Sequence, residues 1–565
     1  MKKINLAFAQ NEKEILYISD KVDKKLVWVP VNLETFLFFK KNKMKFINPI
    51  NFFNNHHHKE ALLESERLLK KIRLKNLKKD SLKKRYKGIM RKYFNSIYFL
   101  IASYLEVKKK TCINHIYLSG WNNFNFSNFQ NNFFISKICY ELFKKKEKII
   151  LLNPIIEKQE KSKTVYKLKI KKNFYKETVF FNNLNYKFTR FIWPLFFKNI
   201  KIYLIEFKEI KIWKKMILNL LGVRVFVIKK KKKLTNEKLN LENINFKFKN
   251  FELSKLLNYR KKQASIELID LKEKFKVIKK FFSIQRPNLV LVNMARGYNG
   301  YISEVANAKS IPSVCISHGT ISKGHNKYEK IYQKNIAEEL IPKDIKHFAL
   351  QTKITKKSFK ATDFNNSNID TGNIIFSENK FNFKKYILFA VTNRDFTNMH
   401  YYGIETFFEF YENLKKLDNL AIKQKLNFLV KLHPNISNLK DKLSHEFSNL
   451  KFTNIKIETA LSLSFASISF SSTAIEDSLC SKVPVILFDQ WSRYLHCEAE
   501  KNPYEKNKAV YYVNNSADLL KSIFTIKKSK KINFDNYIFK GSCKENIIKK
   551  LLPLMSKKNY FFNKK

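Results

Sequence analysis

From residue 115 onward one pattern repeats: a short apolar run of strand length, then a longer stretch with helical spacing, then another apolar run. The runs HIYLS (115–119), KIILLN (148–153), KIYLIEF (201–207), VRVFVI (223–228), NLVLVNM (288–294) and PSVCIS (312–317) form one series. HFALQT (347–352), KYILFAV (385–391), LNFLVKL (426–432), NIKIET (454–459), FASISF (465–470), VPVILFD (483–489) and AVYYV (509–513) form a second. Strands that are apolar along their whole length must be covered on both faces, and intervening helices supply that cover in parallel sheets. Two series predict an α/β protein of two doubly wound, Rossmann-like domains facing a cleft, with the ligand outside the carboxyl ends of the strands.

The expected divisions are a basic, mainly helical N-terminal extension over 1–110, a first Rossmann-like domain over 111–345, a second over 346–525, and a tail with a return helix over 526–565. Residues 160–190 alternate with period two and predict a hairpin inserted in the first domain. Within the extension, 3–9, 14–18 and 26–29 read as short strands, and 59 to about 105 as a long Lys-rich amphipathic helix. The tract NNHHHK reads as a surface loop, because three consecutive histidines cannot share one helix face. The N-terminus has only a short apolar run before polar residues, unlike a signal peptide. The apolar stretches 93–107 and 191–207 are too short, or too broken by Lys, for the ~18–20 residues of a membrane span; they read as core, with surface contact to a membrane as the alternative.

The formal charge is +62, from 110 Lys and Arg against 48 Asp and Glu. Such a surplus raises an anionic partner, nucleic acid or acidic membrane. The base is almost entirely Lys, in a residue set rich in Asn, Ile and Phe, so drift toward A/T-rich codons is the competing cause. Nucleic-acid readers also draw on Arg for bidentate contacts. The stretch 401–510 is nearly neutral. Six scattered cysteines without a C-x-x-C pair predict free thiols and no structural zinc.

Ten glycines in 565 residues is about 2 % against a usual ~7 %, and six fall between 297 and 403. In so glycine-poor a chain those that remain mark places where a side chain does not fit. None lies between 404 and 540, so the second domain has neither a G-x-G-x-x-G turn nor a P-loop. Instead FSSTAIEDSLC places Ser471, Ser472 and Thr473 after a strand, at the N-cap and first turn of a helix, where free backbone N–H groups and hydroxyls together suit a phosphate. A single Ser or Thr there is an ordinary N-cap; three invite a ligand. Glu476 and Asp477, a turn further on, are candidates for accepting ribose hydroxyls. In LNFLVKLHPN a strand ends at Lys431, and His433 follows on the same sheet edge, aimed by Pro434. A histidine there can donate to a phosphate or to a departing phosphate oxygen.

A strand ending in KLHP, followed some forty residues later by SSTAIEDSL and then KVPVILFD, resembles the nucleotide-binding half of GT-B glycosyltransferases that build bacterial surface carbohydrates. The resemblance spans roughly 285–520. It reaches the CMP-sugar users, sialyltransferases and Kdo transferases, and the CDP-glycerol glycerophosphotransferases. It implies that the first domain takes the acceptor and the second the nucleotide. In the CDP-glycerol enzymes an H-G-T turn carries the general base; here that implies His318, with Gly319 and Thr320 completing the turn. No Asp-Gly or Glu-Gly pair stands in for the acidic base of the sialyltransferases, and Glu304 is the fallback base. Arg394, after a strand, is the candidate to steady a diphosphate.

The expectation is a metal-independent glycosyltransferase with no cofactor, the nucleotide sugar being its substrate and a surface polysaccharide or lipid-linked glycan its acceptor. It is expected in the cytoplasm, with peripheral contact to an anionic membrane at the inner face of the plasma membrane. Three alternatives stay open: a CDP-glycerol-type glycerophosphotransferase, a sugar-nucleotide 2-epimerase needing further cleft carboxylates, and a nucleic-acid-binding protein.

Overall fold

The computed structural model describes residues 2–120, 134–155, 162–168, 175–185, 187–234, 239–317, 319–359, 367–374, 384–390, 393–394, 402–540 and 544–556. Three parallel sheets organise them. The first, in order β2-β1-β3-β4, is built from β1 (Lys2–Phe8), β2 (Leu26–Val29), β3 (Thr111–Leu118) and β4 (Ile149–Leu151). Its helices are α1 (Glu12–Lys21), α2 (Leu33–Lys41), α3 (Asn55–Lys71), α4 (Asp80–Lys110) and α5 (Ile135–Phe143).

The second sheet has seven strands, β15-β14-β13-β12-β6-β7-β8: β6 (Thr178–Phe181), β7 (Lys201–Glu206), β8 (Val223–Val227), β12 (Leu289–Val292), β13 (Ser313–Cys315), β14 (His347–Leu350) and β15 (Ser367–Asp370). A ribbon of β5 (Ser162–Lys167) and β9 (Lys229–Leu234) packs on the helix Ser254–Ile284, and a small hairpin of β10 (Lys247–Phe248) and β11 (Phe251–Glu252) packs on α4 and α5. The helices here are α6 (Ile192–Phe197), α7 (Ile212–Leu220), α8 (Ser254–Ile284), α9 (Gly297–Ala308), α10 (Lys327–Leu340) and α11 (Lys353–Phe359).

The third sheet, β20-β19-β16-β21-β22-β23, comprises β16 (Tyr386–Ala390), β19 (Phe428–Lys431), β20 (Lys451–Thr453), β21 (Ser464–Ser469), β22 (Val485–Phe488) and β23 (Val510–Val513). A short parallel pair, β17 (Asn393–Arg394) and β18 (Glu405–Thr406), lies at its edge. Its helices are α12 (Phe407–Gln424), α13 (Lys440–Glu446), α14 (Ile457–Ser462), α15 (Ala474–Cys480) and α16 (Ser516–Lys528); α17 (Lys544–Leu551) and α18 (Pro553–Ser556) close the described chain.

Alternate residues of one strand face opposite cores, as the pleat requires. In the second sheet Phe180, Tyr203, Val290 and Phe348 join α4, α8 and α9 on one side, while Val179, Phe181, Leu204, Leu291 and Val314 join α6 and α7 on the other. The second and third sheets are thus the two doubly wound domains expected. Ile547, Ile548, Leu551 and Met555 pack into the core of the second sheet, so the last helices return to the first domain.

The first 151 residues depart from the expected helical extension. They carry a small parallel sheet of their own, in which β3 and β4 pair beside β1 instead of joining the second sheet. This unit packs on both domains. α4 is buried along most of its length between α3, α8 and α9, as a helix apolar on nearly all sides must be. Phe36 and Phe53 meet Phe407 of α12 at 6.0 and 5.6 Å between ring centroids.

Other readings shift. The helix expected over 59–105 is two helices, broken over 72–79. The 14–18 run lies within α1. The histidine tract opens α3, capped by the Asn54 side chain; His56 is exposed, and His57 and His58 are buried. Among the described residues of 160–190 no hairpin forms, because β5 pairs with β9 and β6 joins the main sheet. NIKIET is not a strand: β20 precedes it, and α14 takes its second half, turning Ala460 and Leu461 into the core. The 345/346 division falls inside the second sheet, whose last strand ends at Asp370. Residues 93–107 lie in buried α4 and offer no surface aromatic. No helix among the described residues is long and apolar enough to cross a membrane.

Candidate active site where two sheet edges meet

Each large sheet has one place where successive crossovers set off in opposite directions. In the third sheet it falls between β16 and β21, and in the second between β12 and β6. At such switch points the loops diverge and leave a crevice beyond the carboxyl ends, where ligands of open α/β sheets bind. Residues 470–473 leave β21 at the first of these places. At the second, Asn182 after β6 donates to the side chain of Asn293 after β12 at 2.7 Å; both are buried, and the other Asn182 amide atom, Oδ1, has no hydrogen bond among the described residues.

The 470–473 loop is held from beneath. Ser469 Oγ donates to the Ala390 carbonyl at 2.8 Å, Ser467 to Ser478 at 2.9 Å, and Ser478 to the Ala474 carbonyl at 2.6 Å, fixing α15 to its strand. Phe470 is buried under the Arg493 guanidinium, 5.2 Å from its ring centre. The helix starts later than expected, at Ala474, and has only seven residues. The Ser472 hydroxyl is already engaged, accepting from the Ala474 N–H at 3.2 Å. Ser471 and Thr473 are half-buried, and their hydroxyls make no hydrogen bond among the described residues. Capacity for a ligand therefore lies in these two hydroxyls at the switch point more than in a helix dipole, which so short a helix barely develops.

His433 follows β19, on the other side of β16 from β21, so it stands two strand spacings, roughly 10 Å, from the loop on the same sheet edge. Its carbonyl accepts from Ile436 at 3.0 Å, starting the 3-10 turn Pro434–Leu439. Lys431 is half-buried at the strand end, and burial lowers its pKa. Arg394 lies on β17, its side chain outside the described residues.

The two edges meet at α15. Glu476 Oε2 accepts from the Thr320 hydroxyl at 2.9 Å, and its Oε1 accepts from Thr352 at 2.7 Å and Thr355 at 3.1 Å. Asp477 accepts from Asn373 at 2.8 Å. Neither carboxylate stands open to a ribose; both are buried and join the second domain to strand ends of the first. Burial raises the Asp477 pKa to about 6, against the opposing pull of Lys187.

Lys187 is a buried cation that sequence reasoning missed. It donates to the Ser317 carbonyl at 2.8 Å and to Gln351 Oε1 at 2.6 Å, while Gln351 donates to the same carbonyl at 3.0 Å. These bonds anchor the turn that leads to His318, which itself lies outside the described residues. Gly319 continues the turn: a Cβ there would stand 2.9 Å from Leu340. At Gly324 a Cβ would meet backbone of Glu329 and Lys330 within 2.8 Å, as expected of a glycine-poor chain.

Glu304 is not in the cleft. Its carboxylate accepts from the Ser81 backbone N–H at 2.9 Å, capping the N-terminus of α4, and burial raises its pKa. Among the described residues no cluster of three His, Cys, Asp or Glu side chains is placed to hold a metal ion.

Sequence reasoning also missed the charges under the loop. Arg493 makes a two-pronged ion pair with Glu409, the second prong 3.0 Å, both side chains fully buried. Burial would raise the Glu409 carboxyl, but Arg493, with His58 adding to its pull, holds it well below the ordinary range. His58 lies 3.6 Å from Glu409, beyond a hydrogen bond, and burial lowers its pKa, so it is a neutral neighbour. Asp489 accepts from the backbone N–H groups of Trp491, Arg493 and Tyr494. The triple-histidine tract and the Arg in WSRYL were the visible signals, but nothing in sequence pairs them.

No protein-family model matches the chain, and no curated protein matches it. Among solved structures, the UDP-GlcNAc 2-epimerase from Methanocaldococcus jannaschii is similar over 67 % of this chain and 99 % of its own, at 14 % identity and a TM-score of 0.39. That of Neisseria meningitidis, bound to UDP-GlcNAc, is similar over 66 % and 99 %, at 15 % identity and 0.38. Anabaena Alr3699/HepE, in complex with UDP and glucose, is similar over 67 % and 95 %, at 9 % identity and 0.35. Similarity this low assigns no substrate to this chain.

Proposed function

We propose that the protein is an enzyme acting on a nucleotide sugar, whose phosphates rest on the 471–473 loop between Ser471, Thr473, His433 and Lys431. The observation that carries the reading is the Ser471 and Thr473 hydroxyls, without a hydrogen bond among the described residues, on a loop fixed to its strand at the switch point of the third sheet, next to α15, whose Glu476 bonds to the strand ends of the second. Hydroxyls on the loop, with an imidazole and a lysine two strand spacings along the same sheet edge, would bind the oxygens of a diphosphate and stabilise charge building on a departing one. In the first reading the reaction is transfer of the sugar to an acceptor hydroxyl, with His318 taking the proton.

One observation favours a second reading, epimerisation of the sugar without an acceptor. Asp477 and Glu476 are two adjacent carboxyls on α15 at the seam, burial raising the Asp477 pKa to about 6; to act on a sugar both would have to leave their bonds to Asn373 and to Thr320, Thr352 and Thr355. The test is incubation with CMP- and UDP-sugars and with CDP-glycerol, with and without a lipid-linked glycan. Free nucleotide released only with acceptor supports transfer; a new sugar epimer formed without acceptor supports the second reading. No turnover of any donor would refute both. For transfer, His318→Ala is expected to cost about 10²–10⁴-fold in kcat while donor affinity is unchanged.

A further inference from the structure

Large apolar side chains exposed singly are normal on a soluble surface; a dense group of them is not. Of the fifteen most exposed ones among the described residues, seven lie within 193–220. α6 contributes Trp193 at 55 % and Phe197 at 78 % exposure, and α7 contributes Ile212, Trp213, Met216, Ile217 and Leu220, between 48 and 79 %. Both helices cover the same side of the second sheet, turning Ile192, Leu195 and Leu218 into one core. They are neighbours, since the Phe196 ring of α6 lies 3.6 Å from where a Cβ on Gly222, just past α7, would sit. Trp193 and Phe197 stack on each other at 5.9 Å. On α7 the outward residues Ile212, Met216 and Leu220 recur every fourth position and form a stripe along the helix.

We propose that the face formed by α6 and α7 docks on an anionic lipid bilayer. The charges around it choose the occupant. Lys198, Lys208, Lys211, Lys214 and Lys215 are exposed among the apolar residues, against one exposed acid, Glu209. Protein interfaces are depleted in Lys, whereas helices that lie in a membrane surface combine Trp, Phe and Leu on one face with flanking Lys. Indole rings such as those of Trp193 and Trp213 suit the headgroup level, where one edge is apolar and the other wet. The inference does not depend on which reaction the cleft performs.

The test uses the full chain, sedimented with phosphatidylcholine vesicles and with vesicles containing 30 % phosphatidylglycerol, a composition of about one anionic lipid in three. The wild type is expected to sediment with the anionic vesicles alone, with a blue shift of tryptophan emission. Lys211→Glu, Lys214→Glu and Lys215→Glu together are expected to lower partitioning on the order of a hundredfold. Phe197→Glu with Trp213→Glu is expected to abolish the blue shift. Since net charge alone attracts this protein to anions, Lys501→Glu, Lys506→Glu and Lys530→Glu serve as a control, expected to leave partitioning within about twofold. Equal loss in the control, no loss in the α7 lysine variant, or no vesicle binding overturns the proposal. So does a solution dimer that Phe197→Glu with Trp213→Glu dissociates, for then the face meets a second copy of the chain.

Discussion

Replacing Arg493 by methionine removes a guanidinium from a place no water reaches. Its partner Glu409 is fully buried and hydrogen-bonded to the Thr406 backbone N–H at 2.8 Å as part of the box that caps α12. Without Arg493 that carboxylate keeps the cost of burial, while the His58 ring beside it is neutral. Breaking one side of a buried pair costs about 3–5 kcal/mol, because the other charge is left uncompensated. In a domain of this size each kcal/mol moves the melting temperature by about 2–4 °C, so the transition of the third-sheet domain should fall by roughly 6–20 °C. The double variant Arg493→Met with Glu409→Gln should recover at least half of that loss, since the amide oxygen of Gln can still accept from Thr406. Calorimetric melting of the wild type, both single variants and the double variant measures the coupling. If Arg493→Met melts within about 2 °C of wild type, or the double variant is no better than the single, the pair does not hold this domain as described.

Two further predictions concern His496, which the sequence left unassigned, and Glu476, which it assigned to a ribose. His496 is buried, and desolvation lowers its pKa to about 4 from 6.5, so the unfolded chain takes up its proton first as pH falls. Its contribution to stability is therefore lost between about pH 6.5 and 4, on the order of 3 kcal/mol in all, and His496→Gln should show a correspondingly shallower fall in melting temperature over that range; identical pH dependence would contradict it. Glu476→Ala should leave the hydroxyls of Thr320, Thr352 and Thr355 without their acceptor and cost about 1–3 kcal/mol in thermal unfolding, while nucleotide affinity stays within about threefold. A tenfold or larger loss of affinity would return Glu476 to the ribose.

The strands were legible because burial on both faces makes them apolar along their whole length, and FASISF and VPVILFD lie within a residue or two of β21 and β22. The sheet to which a strand belongs was not legible. HIYLS and KIILLN read like the runs that follow, and only long-range pairing with β1 assigns them to the first sheet. NIKIET misled because alternating Ile and Lys imitates a strand, whereas the spacing of Ile457, Ala460 and Leu461 serves a helix face. At the site, the Ser-Ser-Thr loop and His433 do stand on one sheet edge, as their positions after β21 and β19 required. Glu476 and Glu304 were misplaced because a carboxylate's partner is set by tertiary contact: threonines more than 120 residues away for one, the start of α4 for the other. The partners of Lys187 and Arg493 were hidden for the same reason, since nothing local distinguishes a buried basic residue among 110 Lys and Arg.

The central claim is that Ser471 and Thr473 keep their hydroxyls for a nucleotide phosphate. Isothermal titration of CMP, CDP, UDP, GDP and dTDP into the wild type and into Ser471→Ala with Thr473→Ala tests it directly. These hydroxyls have no partner among the described residues, so the double variant should melt with the wild type in the absence of ligand. Hydrogen bonds to a charged group contribute about 1.5–3 kcal/mol each, so a cytidine or uridine nucleotide should bind the wild type and lose at least tenfold in affinity in the variant. Binding of equal strength in both proteins, or heat from none of the five nucleotides, would contradict the account.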